Sequence, residues 1–172
     1  MKKQRVWIGY VATALLLLMG VALLSACGTT YRSDVSAETL MQAAISAISE
    51  ESGDYYMADG DTYAIYFDQN AAYAAVQNCC IAYHSVGTNV DQIGVFLVKD
   101  AQSVETVRKM VQEYVDGQCE YLYGFAENYN KDELDKIQNQ QLTVMGQYVC
   151  FTILNDADER AVLQAIEAAI TD

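Results

Sequence analysis

The chain has 172 residues, with 23 acidic against ten basic side chains, a net charge of −13, 13 tyrosines, five cysteines and no proline. So acidic a balance repels phosphate backbones, which excludes a nucleic-acid partner, and it argues against the body lying flat on anionic lipid headgroups. The length suits one domain with a single core.

Lys2, Lys3 and Arg5 open the chain, Val6 to Leu24 is apolar apart from Thr13, and the small residues Ser25 and Ala26 precede Cys27. This is the three-part layout of a secretory signal over residues 1–26. The string Leu24-Ser25-Ala26-Cys27 resembles the bacterial lipobox. That resemblance implies cleavage between Ala26 and Cys27 and a diacylglycerol, with acyl chains such as palmitate, on the Cys27 thiol. An uncleaved single-pass helix is the alternative, since about 20 apolar residues cross a bilayer, but a bare span has no use for small residues and a cysteine at its outer end. Two acyl chains make a stable anchor, at about 0.8 kcal/mol per buried methylene. In either case basic residues stay on the cytoplasmic side, so the domain is expected on the extracytoplasmic face of the cell membrane. Without residues 1–26 the body keeps seven basic and all 23 acidic side chains, a net −16.

Residues 27–34 are polar and without periodicity and read as a lipidated tether; residues 35–172 form the single domain. Ser36 is placed to cap a helix whose Leu40, Met41, Ala44, Ile45 and Ile48 share one face until Gly53 ends it. Tyr55–Met57 and Tyr63–Phe67 flank Asp59-Gly60-Asp61 as a hairpin would, and Asp68–Val76 is alanine-rich enough for a short helix. Cys79–His84 and Gln92–Val98 predict an antiparallel pair around Val86–Asn89. Val104, Val107, Val111, Tyr114, Val115 and Leu122 mark the longest helix, weakened at Gly117 and finished at Gly124. A polar connection through Asn128–Gln141 leads to a second hairpin, Leu142–Met145 and Tyr148–Leu154 around Gly146-Gln147. Asn155 or Asp156 then caps a last helix, with Glu159 as capping-box partner of Asp156 and Val162, Leu163, Ile166 and Ile170 inward.

Helices before, between and after antiparallel strand pairs predict an α+β fold. The expected form is a two-layer sandwich with an antiparallel sheet of about four to five strands, packed on one face by amphipathic helices. The glycine-rich turn of a nucleotide-binding sheet is missing, so no nucleotide cofactor is expected.

The lipobox, the run Asp91–Asp100 followed by a long amphipathic helix, and Gly146-Gln147-Tyr148-Val149 leading into a strand, Asn155-Asp156 and a terminal helix resemble a group of bacterial lipoproteins known as domain of unknown function 4358. The likeness covers residues 91 to 170 well and the earlier half loosely. It implies an extracytoplasmic lipoprotein of the cell envelope with no established activity, so no catalytic residue is carried over.

Four thiols remain beside Cys27: Cys79, Cys80, Cys119 and Cys150. An even number outside the cytoplasm invites disulfides, but adjacent cysteines rarely pair and Cys150 sits in an apolar strand, so free buried thiols are the expectation. Cys79 or Cys80 as nucleophile with His84, the single histidine, as base would make a membrane-tethered thiol enzyme. On a strand, however, Cys80 and His84 lie about 13 Å apart at 3.3 Å per residue, too far for proton transfer. No zinc-ligand spacing occurs, and Asp54, Asp59, Asp61 and Asp68 lack the alternation of a calcium loop. The sequence thus points to a lipid-anchored domain that binds a small ligand or an envelope protein, with no metal, cofactor or catalytic set.

Overall fold

A computed structural model describes residues 29–49, 53–67 and 69–171. The expected signal over 1–26, the cleavage position Ala26, the lipidated Cys27 and the calcium candidate Asp68 lie outside the described residues. Of the expected tether, Tyr31 bridges Thr171 and the Arg32 N–H donates to the Ile170 carbonyl at 2.9 Å, so these two residues belong to the folded domain.

Helix α1 spans Ala37–Ala47, with the Ser36 side chain accepting from the Thr39 N–H. It stops at Ile48 instead of running to Gly53. Gly53 serves a different purpose: its φ is +90°, and a Cβ there would sit 2.7 Å from His84 Nε2.

Strand β1 (Tyr55–Asp59) pairs antiparallel with β2 (Val76–His84), in a register that sets Tyr55 opposite His84 and Asp59 opposite Cys80. The hairpin expected with Tyr63–Phe67 does not form, because Gly60–Phe67 is helix α2. Tyr63 and Phe67, four residues apart, are both buried while Tyr66 is 71 % exposed, a helical period that strand alternation would break. Asp59 starts this helix, its Oδ1 accepting from the Thr62 N–H and hydroxyl at 3.1 Å each. The alanine-rich stretch forms one 3₁₀ turn, Ala71–Ala75.

Strand β3 (Gln92–Val98) pairs with β2 on one side and β5 (Tyr148–Ile153) on the other, and β4 (Gln141–Met145) closes a hairpin with β5 around Gly146, at φ +60°. The sheet has five strands in the order β1-β2-β3-β5-β4, every pair antiparallel. This is the expected α+β sandwich, and helices cover both faces of its sheet instead of one.

On one face lie α1 and α5 (Asp156–Ile170), meeting Ile93, Val95, Leu97 and Cys150 with Leu40, Met41, Val162 and Ile166. On the other, α2 and α3 (Val104–Tyr129) meet Phe96, Val98, Val149 and Phe151 with Tyr63, Phe67, Val107, Val111 and Val115. Helix α3 passes through Gly117 and Gly124 instead of ending there. Each glycine costs about 1 kcal/mol relative to alanine, and the buried stripe that continues to Leu122 and Ala126 offsets it.

The expected polar connection also holds structure: a 3₁₀ turn, Lys131–Glu133, and the short helix α4, Leu134–Gln138. Ile137 of α4 is buried with Val90, Leu122, Ala126 and Ile153, a contact set that sequence spacing conceals. At the last helix Asn155 is the cap, its Oδ1 accepting from the Ala157 and Asp158 N–H groups at 3.0 Å. Glu159 does not complete a capping box. It accepts instead from the Thr152 hydroxyl at 3.3 Å, while Asp158 takes the Asn155 amide at 2.6 Å.

Gly94 is the tightest point of β3, since a Cβ there would stand 2.0 Å from Cε1 of the buried Phe151 ring. Gly94→Ala is expected to destabilise the fold by at least about 1–3 kcal/mol, the usual cost of overpacking. A urea unfolding midpoint equal to that of the parent chain would refute this account of the strand.

Candidate functional site

The end of the sheet where β2 turns into β3 carries a set of polar side chains joined by hydrogen bonds. His84 ends β2, its Nδ1 accepting from the Val86 N–H at 3.0 Å and its ring standing edge-on to Tyr55 at 5.4 Å. Asn89 Oδ1 accepts from the Asp91 N–H at 2.7 Å and so fixes the entry to β3. Asp91 follows, and it is only 2 % exposed.

A buried carboxylate needs a partner. Lys136 of α4 supplies it, its Nζ donating to Asp91 Oδ1 at 2.7 Å and to Glu133 Oε2 at 2.9 Å. The Tyr55 hydroxyl donates to Asp91 Oδ2 at 2.9 Å, and the Val90 N–H donates to Glu133 Oε2 at 3.1 Å. Burial works against the Lys136 charge, but the hydrogen bonds and charges of Asp91 and Glu133 outweigh it and hold the ammonium pKa above the ordinary lysine value. Burial, then the adjacent Asp91 carboxylate, raises the Tyr55 hydroxyl, so it stays a donor.

Above this ionic floor opens a cleft of about 440 Å³, rimmed by Thr88, Asn89, Asn130, Asn155, His84 and Gly53. A second groove, lined by Asp132, Asp135, Asn139 and Asp156, shares Lys136 and Asn155 with it. The volume falls in the range of small-molecule sites. The floor groups are hydrogen-bonded to one another, one ammonium between two carboxylates, and the rim adds amide and hydroxyl groups that can meet a ligand.

The thiols proposed for chemistry are elsewhere. Cys79 and Cys80 are neighbours on β2 whose side chains enter opposite cores, Cys79 with Phe96 and Val111, Cys80 with Val95 and Leu40. Burial raises the Cys79 pKa, the Tyr73 hydroxyl at 3.6 Å opposing it, and burial pushes Cys80 up to about 12. The β2–β3 register is regular from Asn78 to Tyr83, so no bend carries His84 back toward Cys80. All four described cysteines are free thiols. Cys150 is fully buried and pushed up to about 12, whereas Cys119 is half-buried, against the Ile137 carbonyl, contrary to the expectation that it is buried. A thiolate is the reactive form, and none of these sites favours it. Among the described residues no group of histidine, cysteine, aspartate and glutamate is arranged to hold a metal ion. Of the calcium candidates, Asp59 instead caps α2.

The fold and cleft define a small α+β domain with a polar pocket at one end of an antiparallel sheet. Residues 72–154 match the family described as Domain of unknown function (DUF4358). The match begins at the 3₁₀ turn, earlier than the likeness read from the sequence, and stops before α5. It contains Asp91, Glu133, Lys136 and the four thiols. No curated protein and no solved structure matches the chain.

In the sequence Asp91 stands out only as the start of the run Asp91–Asp100, and Glu133 and Lys136 only as members of the polar connection Asn128–Gln141. Lys136→Met leaves two buried carboxylates without their cation and is expected to cost roughly 3–5 kcal/mol; denaturant unfolding that shows less than about 1 kcal/mol would remove the ionic floor from the account.

The pH response follows from the same groups. Buried thiols, Tyr55 and Lys136 all have folded pKa values raised above their unfolded values. Their contribution is therefore complete below the unfolded thiol value of about 8.5 and is lost as pH rises through the folded values, the thiols near 12. Thermal unfolding followed from pH 7 to 11.5 should show the midpoint falling steadily above about pH 8.5. A flat profile across that range would contradict it.

Proposed function

We propose that this chain is a lipid-anchored, extracytoplasmic binding domain that holds a small polar ligand in the cleft above Asp91, Glu133 and Lys136 and performs no chemistry on it. The observation that carries the reading is the division of labour in the cleft. Its charged groups are committed to one another, while Asn89, Asn130, Asn155 and Thr88 line the opening with hydrogen-bonding groups. Such a set recognises a polar molecule through donors and acceptors, and no thiol lines the cleft to act as a nucleophile.

The anchor follows from the lipobox-like Leu24-Ser25-Ala26-Cys27 and from the strongly acidic body, which has little attraction of its own for an anionic leaflet. Among the described residues no helix is long and apolar enough to cross a membrane. In this reading the acylated Cys27 makes the attachment. Beyond the membrane itself, the partners are a small ligand or another envelope protein, and nucleic acid is not among them.

Two measurements on the protein purified from its native membrane test this. Mass spectrometry should find Cys27 as the first residue, carrying a diacylglycerol; an unmodified Cys27 or an intact residue 1–26 segment overturns the anchor. Native mass spectrometry should find a bound small molecule that Thr88→Arg, which fills the cleft mouth from an exposed position, releases without lowering stability. Retention by that variant, or absence of any bound molecule, overturns the cleft assignment.

A further inference from the structure

Strand β4 is a sheet edge, and among the described residues no strand pairs with its outer side. Open edges invite pairing, and proteins that avoid it place charges, prolines or bulges there. The sequence of β4, Gln141-Leu142-Thr143-Val144-Met145, has none of these, and its register with β5 is unbroken.

The register decides which main-chain groups point outward. Met145 faces Tyr148 next to the two-residue turn, a position where both bonds of the pair are made, so the alternation leaves Leu142 and Val144 with their N–H and C=O groups turned away from β5. Leu142 and Val144 are themselves two residues apart around Thr143. That spacing is self-complementary for antiparallel pairing about a two-fold axis at Thr143.

We propose that two copies of this chain meet edge to edge through β4. In this pairing Leu142 faces the partner's Val144, each pair exchanging both main-chain bonds, and Thr143 faces the partner's Thr143 across the axis. The side chains agree with it. Leu142 and Val144 share the α3 face and form apolar cross-strand pairs, while the two threonines meet on the α5 face, also a favourable combination.

The flanking helix adds charge complementarity. Arg160, Leu163, Gln164 and Glu167 of α5 run as one stripe beside Thr143 and Met145 and line a groove of about 320 Å³. Two-fold symmetry sets α5 antiparallel to its mate, so Arg160 lies toward the partner's Glu167 and the reverse. Arg160 makes no ion pair among the described residues, and Glu167 accepts from the Tyr31 hydroxyl at 2.8 Å with its second carboxylate oxygen left for another donor. The strand at the centre of the contact is uncharged, so the acidic body brings no like-charged pair into it.

The test uses the full chain in detergent solution with Thr143→Cys. Facing non-hydrogen-bonded positions bring Cβ atoms to within about 4.5–5.5 Å, close enough for mild oxidation to join two chains. A covalent dimer should form with Thr143→Cys and be absent from both the parent chain and Tyr121→Cys, a 71 % exposed site on α3. Arg160→Glu in the Thr143→Cys background should slow the cross-link several-fold, and adding Glu167→Arg should restore it. A Thr143→Cys chain that cross-links no faster than Tyr121→Cys, or that is indifferent to both charge changes, overturns the proposal. So does a monomeric sedimentation profile across concentration for the parent chain. None of these readouts depends on a ligand in the cleft.

Discussion

Every residue of β3 is buried, and most of the architecture is a response to that one fact. A strand with apolar side chains on both faces has to be flanked by strands on both edges and covered by helices above and below. Ile93, Val95 and Leu97 demand α1 and α5; Phe96 and Val98 demand α2 and α3. Gly94 completes the arrangement by leaving the space that the Phe151 ring occupies on the neighbouring strand. The strands on either side inherit the same burial, which is why Cys79, Cys80 and Cys150 act as small core residues and not as reagents.

Where β3 begins, the apolar constraint gives way to an electrostatic one. Asp91 enters the same buried layer and brings a charge with it, so its stability there depends on Lys136, a residue that arrives 45 positions later. Lys136 is held in turn by Glu133, and Glu133 is tied to the Val90 N–H that precedes Asp91. The loop between α3 and β4 is thereby pinned to the start of the central strand by a closed set of charge-assisted bonds. Buried ionic groups of this kind contribute little net stability compared with apolar packing, and their effect is to fix one arrangement of the segment that carries them. That fixed segment is the floor of the cleft.

The cleft and the β4 edge occupy separate parts of the fold, one built from the β2–β3 turn with α4, the other from the outer strand with α5. The proposed ligand site and the proposed dimer contact therefore do not compete for the same residues.

The elements whose hydrophobic period is unambiguous were legible in the chain: α1, the β2–β3 pair, the β4–β5 hairpin and α5 all stand close to where apolar spacing puts them. Tyr63–Phe67 was not, because five mainly apolar residues satisfy both a strand and a helical turn, and the choice fell to a β1 partner that lies 21 to 29 residues away in β2. Gly117 and Gly124 read as breaks because local propensity opposes helix there, whereas the sheet packed beneath α3 carries the helix past them. The candidate site was the least visible part, since ion pairs among Asp91, Glu133 and Lys136 leave no periodic trace. What the sequence by itself determined is the set of strongly patterned elements, the acidic body and the core-type thiols Cys79, Cys80 and Cys150, all of which follow from short-range chemistry. Only the tertiary structure decided the coverage of both sheet faces, the partner of β1 and the buried Asp91–Lys136–Glu133 floor, because each depends on which distant residues burial forces into contact.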